Sequence, residues 1–326
     1  MAILRPGNIE AAYLAVYLSS NIGRSLTERW KRGAVQTGLL LEDMDQLPVA
    51  RYSTSFEKRI AETVEAAYQS LEASKASFAQ AETTLLEALG LENWQAPEPL
   101  TYIRNSSDAF AAGRLDAEYF TPHVSELMRL LGRNGLCIGD VAPPRRERFA
   151  PADTGDFSYI EIGGVRTDGT AEAESVMQCA APSRATQIVA AGDVITSTVR
   201  PIRRLTALIA PEQNGFVCSS GFVVLQPTAI APEVLLTYLR LQPVCELMDL
   251  HTSASLYPAI SEHDLLRLPI PAIDPDIQDS VCKSVQSAQR SRERATQLLD
   301  AAKRAVEIAI EESETAALAY LGSIAP

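Results

Sequence analysis

The sequence predicts a mixed α/β (α+β) fold in which a globular domain is combined with two long antiparallel coiled-coil helices inside an internal repeat. Three observations carry this. The apolar rhythm of Phe56 to Leu89 returns at Ile277 to Ile310 under one constant shift of 221 residues, the match continues upstream of both helices, and the stretch between the copies changes to a strand period. Repeats come first because a duplicated unit constrains the whole architecture before any local propensity is weighed.

The long helices are read from their seams. Phe56, Ile60, Val64, Ala67, Leu71, Ser74, Phe78, Ala81, Leu85 and Ala88 settle into alternating steps of three and four, as a coiled-coil stripe requires. The second copy answers with Ile277, Val281, Val285, Ala288, Arg292, Ala295, Leu299, Ala302, Val306 and Ala309, and Arg292 alone breaks the stripe. Thr54 with Glu57 reads as a capping box, and Asp274 before Pro275 as an N-cap with proline in the first turn. At about 1.5 Å per residue, helices of roughly 35 to 45 residues outrun the core of any small domain, so they are expected to pair antiparallel.

Upstream, Ile3-Leu4-Arg5-Pro6 falls on Val224-Leu225-Gln226-Pro227, Tyr17-Leu18 on Tyr238-Leu239, and Leu47-Pro48-Val49 on Leu268-Pro269-Ile270. The repeated unit therefore reads as a final strand, a helix, a short polar segment, a strand ending in Leu-Pro-(Val/Ile), and the long helix. A counterpart of the segment from roughly 95 to 220 would lie before residue 1, so the first unit reads as incomplete.

That segment carries short β-branched runs at Tyr159 to Ile162, Gln187 to Val189, Asp193 to Val199, Leu205 to Ile209, Phe216 to Cys218 and Gly221 to Leu225. They are predicted strands, with Gly163-Gly164, Asp168-Gly169, Ala191-Gly192-Asp193 and Asn214-Gly215 as their turns. Thr121 before Pro122 predicts a capped helix through Leu131. The Arg114 to Phe120 run reads as an Arg–Asp ion pair with Tyr119 and Phe120 in the core.

Composition bounds the function. A chain of 326 residues with 46% hydrophobic content holds about two domains. No 18-residue apolar run and no signal-peptide pattern occur, which predicts a cytoplasmic protein without a membrane role. Cys137, Cys179, Cys218, Cys245 and Cys282 are scattered singly, and His123, His251 and His263 lack ligand spacing, so neither metal nor disulfide framework nor cofactor is expected. The net charge of −12 argues against a protein that coats nucleic acid. It is unevenly spread: ten acidic residues stand between Glu42 and Glu92 against Arg51, Lys58, Arg59 and Lys75, whereas the inserted segment carries arginines and no lysine.

Arginine alone suits bidentate contact with phosphate or guanine. Ser197, Thr198, Arg200, Arg203 and Arg204 gather two hydroxyls and three guanidinium groups on one predicted loop, which reads either as a phosphate and base contact or as a solvated hairpin tip. Arg145, Arg146 and Arg148 follow Pro143-Pro144 on an extended basic loop, and Arg166 lies nearby in sequence. Thr252 to Ile260 is a second hydroxyl-rich loop whose Tyr257 suits a sugar, phosphate or base contact, with a buried hydrogen-bonded tyrosine as the alternative. Ser219-Ser220-Gly221 reads mainly as a tight turn. Motifs for amino-group methylation, nucleotide binding, zinc proteolysis and metal-dependent nuclease chemistry are missing, so no catalytic residue is expected.

In combination, these segments resemble the specificity subunits of type I restriction-modification systems. The likeness rests on Tyr159 to Gly163, Ala191 to Pro201, Ser219 to Leu225, and Tyr257-Pro258-Ala259-Ile260 leading to Leu268-Pro269-Ile270-Pro271 and a long helix, and it covers nearly the whole chain. The resemblance implies a non-enzymatic reader of double-stranded DNA that docks methyltransferase subunits through its helices and, through them, a restriction and translocase subunit. On that pattern residues 1–53 are the remnant of a first target-recognition domain, 54–92 the first long helix, 93–272 a complete recognition domain and 273–322 the second long helix. One half of a bipartite site would then be read, with pairing to another copy as a way to regain two readers. Two other readings stay open: the C-terminal recognition part of a fused restriction-methylation enzyme, and a coiled-coil interaction protein without a DNA role.

Overall fold

The computed structural model describes residues 3–33, 37–95, 99–253 and 258–324, the side chain of Ser253 excepted. Its helices are α1 Ala11–Ser19, α2 Asn21–Trp30, α3 Leu41–Met44, α4 Thr54–Leu89, α5 Ser106–Ala112, α6 Pro122–Leu131, α7 Ile138–Val141, α8 Pro232–Arg240, α9 Gln242–Leu250, α10 Glu262–Arg267, α11 Pro275–Glu311 and α12 Glu314–Ile324. Its strands are β1 Asp156–Ile160, β2 Glu174–Met177, β3 Ala185–Ile188, β4 Val194–Ser197, β5 Thr206–Leu208, β6 Val217–Ser219, β7 Phe222–Leu225, β8 Thr252–Ser253 and β9 Ala259–Ile260. The chain divides into two compact units, Met1–Ala76 with Ser287–Pro326, and Ser77–Gln286.

In the first unit the opening half of α4 packs on the closing half of α11. Phe56 and Ile60 share one core with Ala302, Ala305, Val306 and Ala309, while Ala67 and Leu71 meet Arg292, Ala295 and Leu299 across a shallow cavity. Partner numbers fall as α4 advances, so the pair is antiparallel here, and its alanines let the backbones approach closely. Tyr13, Val16 and Tyr17 of α1 and Ala317 and Leu321 of α12 close the same core. That second packing face corrects the expected stripe: Leu299 is exposed, and Leu298 and Ala301 are buried instead.

The repeat is carried down to single hydrogen bonds. Under the shift of 221, α1, α2, α3 and α4 fall on α8, α9, α10 and α11 with identical starts. The Tyr17 hydroxyl donates to the Pro48 carbonyl at 2.9 Å, and Tyr238 donates to that of Pro269 at 2.6 Å. The Glu10 amide donates to the Glu57 carboxylate at 3.2 Å, and the Ala231 amide to the Gln278 side chain at 3.3 Å. Even the bridge between Arg32 and Gly38 has its counterpart in the pairing of Ser253 with Ala259.

Several expected elements differ. Each unit has two consecutive helices where one was expected, separated by extended backbone at Ser20 and Leu241. Leu47 to Val49 and Leu268 to Ile270 are not strands; the second forms a single bridge, Cys137 with Pro269, because its neighbours are helices on both sides. Ile3 to Pro6 is exposed and has no sheet partner among the described residues, whereas its counterpart enters β7. The cap of α4 is Ser53, whose hydroxyl accepts from the Phe56 amide, and Glu57 bonds Arg51 and Glu10 rather than Thr54. The Asp274 cap is as expected, its carboxylate accepting from the Asp276 amide at 2.9 Å.

In the second unit, two sheets form the β layer. One is mixed, in the order β2-β1-β6-β3 with β1 parallel to β6, and the other is antiparallel, in the order β5-β4-β7. Ile160, Val189, Ile195, Ala207, Cys218, Phe222 and Val224 share the core of these strands, and α8 packs on β4 and β5. Five of the six expected apolar runs became strands close to their expected places, and Gln187 to Val189 contributes the end of β3; β2 escaped notice because Glu174 to Met177 lies on an edge and is mostly exposed. Thr121 caps α6 as expected. Tyr119 and Phe120 are half-buried rather than in the core, stacked edge to face at 5.0 Å with Arg114 over the Tyr119 ring.

Candidate nucleic-acid interface

Strand pairing brings the two hydroxyl-rich loops together. Val199 bridges Ala259, the Arg200 amide donates to the Pro258 carbonyl at 2.9 Å, and the Ile260 amide donates to the Thr198 carbonyl at 3.0 Å. Thr198 is held from its other side by Gly221, whose carbonyl accepts both its amide and its hydroxyl. The Ser220 amide in turn donates to the Arg184 carbonyl at 2.7 Å. Thus Arg184, Thr198, Arg200 and Pro258 lie along one continuous backbone network. Tyr257 lies outside the described residues.

The tip of the first loop is a short 3-10 turn at Pro201–Arg203, entered and left by Arg200 (φ 50°) and Arg204 (φ 60°) in the left-handed region. Non-glycine residues seldom adopt this conformation, and it persists where surrounding contacts hold it. Here Pro201 is buried under α9, while Ile202 and Arg203 are exposed.

The arginines divide into two groups. Arg145 makes a fork with Asp193, at 2.6 and 3.0 Å, and both side chains are largely buried. Arg204 pairs with Glu82 of α4, and its backbone carbonyl accepts from the Arg240 guanidinium at 3.1 Å. Ser197 is buried, exchanging hydrogen bonds with Val199. These three residues position the loops. Arg146 is exposed and pairs at its tip with Glu262; Arg166 is exposed and pairs with Glu172. Arg148, Arg184 and Arg203 are exposed with no ion pair among the described residues.

Arg240 is the residue the sequence reading missed. It is buried, donates to the carbonyls of Thr167, Arg204 and Thr206, and lies 4.9 Å from the Phe78 ring centre. Burial pushes its pKa down to about 10, with Glu82 working against the shift. One buried cation thereby ties the loop at Arg204, the turn at Thr167 and the helix α4 together. A lone arginine inside the apolar run Val234 to Leu241 was the available signal.

The charge around the loop is uneven. A cavity of about 490 Å³ beside Ile202 is bordered by Asp116, Glu118, Glu246 and Asp249, with Arg114 the one basic side chain among its described lining residues. Carboxylates in that excess repel a phosphate. The exposed Arg184 and Arg203 lie on the loops outside that lining. Among the described residues no cluster suited to a metal ion occurs, and no helix is long and apolar enough to cross a membrane.

No protein-family model and no curated protein matches the sequence. Among solved structures, the chain is similar to one described as the structural basis underlying complex assembly and conformational transition of the type I R-M system, at 26% identity over 54% of this chain and 46% of that chain, with a TM-score of 0.42. It is similar to the HsdS subunit from Thermoanaerobacter tengcongensis at 26% identity over 54% and 46% of the two chains (TM-score 0.41). It is also similar to the type I restriction-modification system S subunit from M. genitalium at 13% identity over 99% and 74% (TM-score 0.39). The match spans about half the length of the first two of these chains.

Proposed function

We propose that this protein is a non-catalytic DNA reader, the specificity subunit of a type I restriction-modification system, with residues 93–272 as its recognition domain and 1–53 as part of a second one. The supporting observation is the pairing of Thr198 and Arg200 with Pro258 to Ile260, which brings two loops together beside the half-buried Arg200 and the exposed Arg203. Thr198, Arg200, Arg203, Arg146, Arg148, Arg166 and Tyr257 are the proposed contacts to double-stranded DNA. Arg145, Arg204 and Ser197 act through the loop geometry. The long helices dock methyltransferase subunits, and through these the restriction subunit, the acidic first helix meeting a basic partner surface.

The test is selection of duplexes from a random pool by the full chain, with and without a methyltransferase subunit, followed by anisotropy titrations. Arg200→Ala is expected to cost about 1–3 kcal/mol on the selected sequence and less on random duplex. Arg203→Ala is expected to weaken both alike and to lower the slope of affinity against salt by about one. A pool that shows no enrichment under either condition refutes the proposal.

A further inference from the structure

We infer that Glu82 of α4 is a specificity-determining positioning residue: by pairing with Arg204 it decides which of two adjacent arginines anchors the turn and leaves the other, Arg203, facing solvent. The inference rests on the DNA reading above and deepens it by a residue that acts through another side chain.

The turn between β4 and β5 is held in an unfavourable shape. Its ends, Arg200 and Arg204, stand at φ 50° and 60°, and it is closed by the Arg203 amide on the Arg200 carbonyl at 3.0 Å and the Arg204 amide on the Pro201 carbonyl at 2.8 Å. Residues with a side chain leave this region of backbone space unless surrounding contacts hold them there. At Arg204 such contacts exist. Its carbonyl accepts from the Thr206 amide at 3.0 Å and from the Arg240 guanidinium at 3.1 Å, and its own guanidinium pairs with Glu82.

The charge balance beneath the turn gives Glu82 its weight. Arg204 and Arg240 are neighbouring cations, and the Nε atoms of both are buried with no hydrogen-bond partner among the described residues. Burial disfavours the Arg240 cation, Glu82 favours it, and the like charge of Arg204 opposes it. Arg240 is fixed in place by the carbonyls of Thr167, Arg204 and Thr206 and by the Phe78 ring beneath it. Arg204 can move, because its side chain is 32% exposed at the end of a surface turn. Without the Glu82 carboxylate, two like charges share a partly desolvated place, and Arg204 is the one that leaves. The helix itself does not call for a carboxylate there. Phe78 and Glu82 lie one turn apart on one face of α4, and their counterparts under the repeat are the exposed Leu299 and Lys303, which pairs with Asp300.

A released Arg204 adds a second guanidinium beside Arg203 while the turn loses its shape. An extra mobile cation meets phosphates at any sequence, whereas reading a base needs a fixed turn. Loss of Glu82 should therefore strengthen binding to random duplex and blunt discrimination, which loss of mere structural support does not do.

Anisotropy titrations of the full chain on the selected duplex and on random duplex, over a range of salt, test this. Glu82→Gln keeps the side chain's size and removes its charge; it is expected to bind random duplex more tightly, with a salt slope steeper by about one, and to discriminate about tenfold less well than the wild type. Glu87→Gln, at an exposed carboxylate of the same helix, controls for net charge and should leave discrimination intact. Glu82→Asp, which keeps the charge, should retain the wild-type slope. Arg204→Ala added to Glu82→Gln should remove the extra slope without restoring discrimination. Hydrogen exchange over residues 200–206, measured without DNA, should quicken in Glu82→Gln. Unchanged exchange, a Glu82→Gln protein that matches Glu87→Gln on both duplexes, or one that weakens on both with its slope unmoved overturns the inference and leaves the DNA reading standing. A wild type that selects no sequence removes that reading and this role together.

Discussion

Asp193→Ala should destabilise the second unit by about 3 kcal/mol, the lower end of the cost of removing one partner from a buried ion pair. The structure sets this magnitude. Asp193 and Arg145 side chains are 4% and 14% exposed, and their two hydrogen bonds measure 2.6 and 3.0 Å. The same carboxylate also accepts from the Ala190 amide at 2.8 Å, so the substitution strands a guanidinium and a backbone donor together. Glu147, at 3.2 Å from Arg145 and largely exposed, recovers little. Trp30 and Trp94 lie in different units, so a Trp30→Phe background leaves Trp94 to report the second unit alone. With a urea m-value of about 2–3 kcal/mol/M, the midpoint should fall by about 1 M. Arg145→Ala should give a similar loss, and the double variant much less than the sum, with a coupling energy of about 1–3 kcal/mol. Replacement of both by hydrophobic residues of matching volume should come closer to neutral. A loss below about 0.5 kcal/mol, or additive single losses, would refute the reasoning and return Arg145 to the group free to meet a ligand.

Tyr238→Phe removes a hydrogen bond to the Pro269 carbonyl inside the core and should cost about 1–2 kcal/mol, whereas the equivalent Tyr17→Phe, whose acceptor Pro48 is exposed, should cost about half as much; Trp94 and Trp30 fluorescence during urea unfolding report the two. His251 is partly buried, and its Nε2 finds no hydrogen-bond partner among the described residues. Burial first, and Arg114 second, hold its pKa below the usual histidine range. Because the unfolded chain takes up this proton before the native one, its contribution to stability is full above about pH 6.5 and declines as pH falls below that value. Unfolding midpoints at pH 7.5 and 5.5 should therefore differ, and His251→Phe should flatten the difference; an unchanged slope would sink this assignment. The carboxylates of Asp116 and Asp264, held low by Arg114 and Ser261 respectively, contribute their own loss only at more acidic pH.

The parts of the fold that were legible in sequence are those written in local periodicity. The stripes of α4 and α11, the Thr121 cap and the strands β4 and β7 depend on side chains a few positions apart. Where a segment's state depends on distant neighbours, the reading faltered. Leu268 to Ile270 has the composition of a strand but meets no continuous edge, and Leu299 lost its place in the stripe because α11 answers to α1 and α12 as well as α4. The candidate site shows the same division. Its two loops were named from hydroxyls and arginines, yet nothing in the sequence told Arg203 from Arg204, adjacent residues of which one is exposed and the other is paired with Glu82.

The amino-acid order by itself determined the duplication, the two long helices and the arginine-rich, lysine-free composition of the β layer, because these are properties of spacing and composition along the chain. Tertiary structure alone decided which guanidinium groups are available, since that depends on the carboxylates of Asp193, Glu82 and Glu262, each distant in sequence. It also decided that equivalent positions of the repeat differ in burial, Phe78 being buried and Leu299 exposed. The physical reason is the same for both: pairing and desolvation act through space, and a side chain's charge or apolar area acquires its role only from what packs against it.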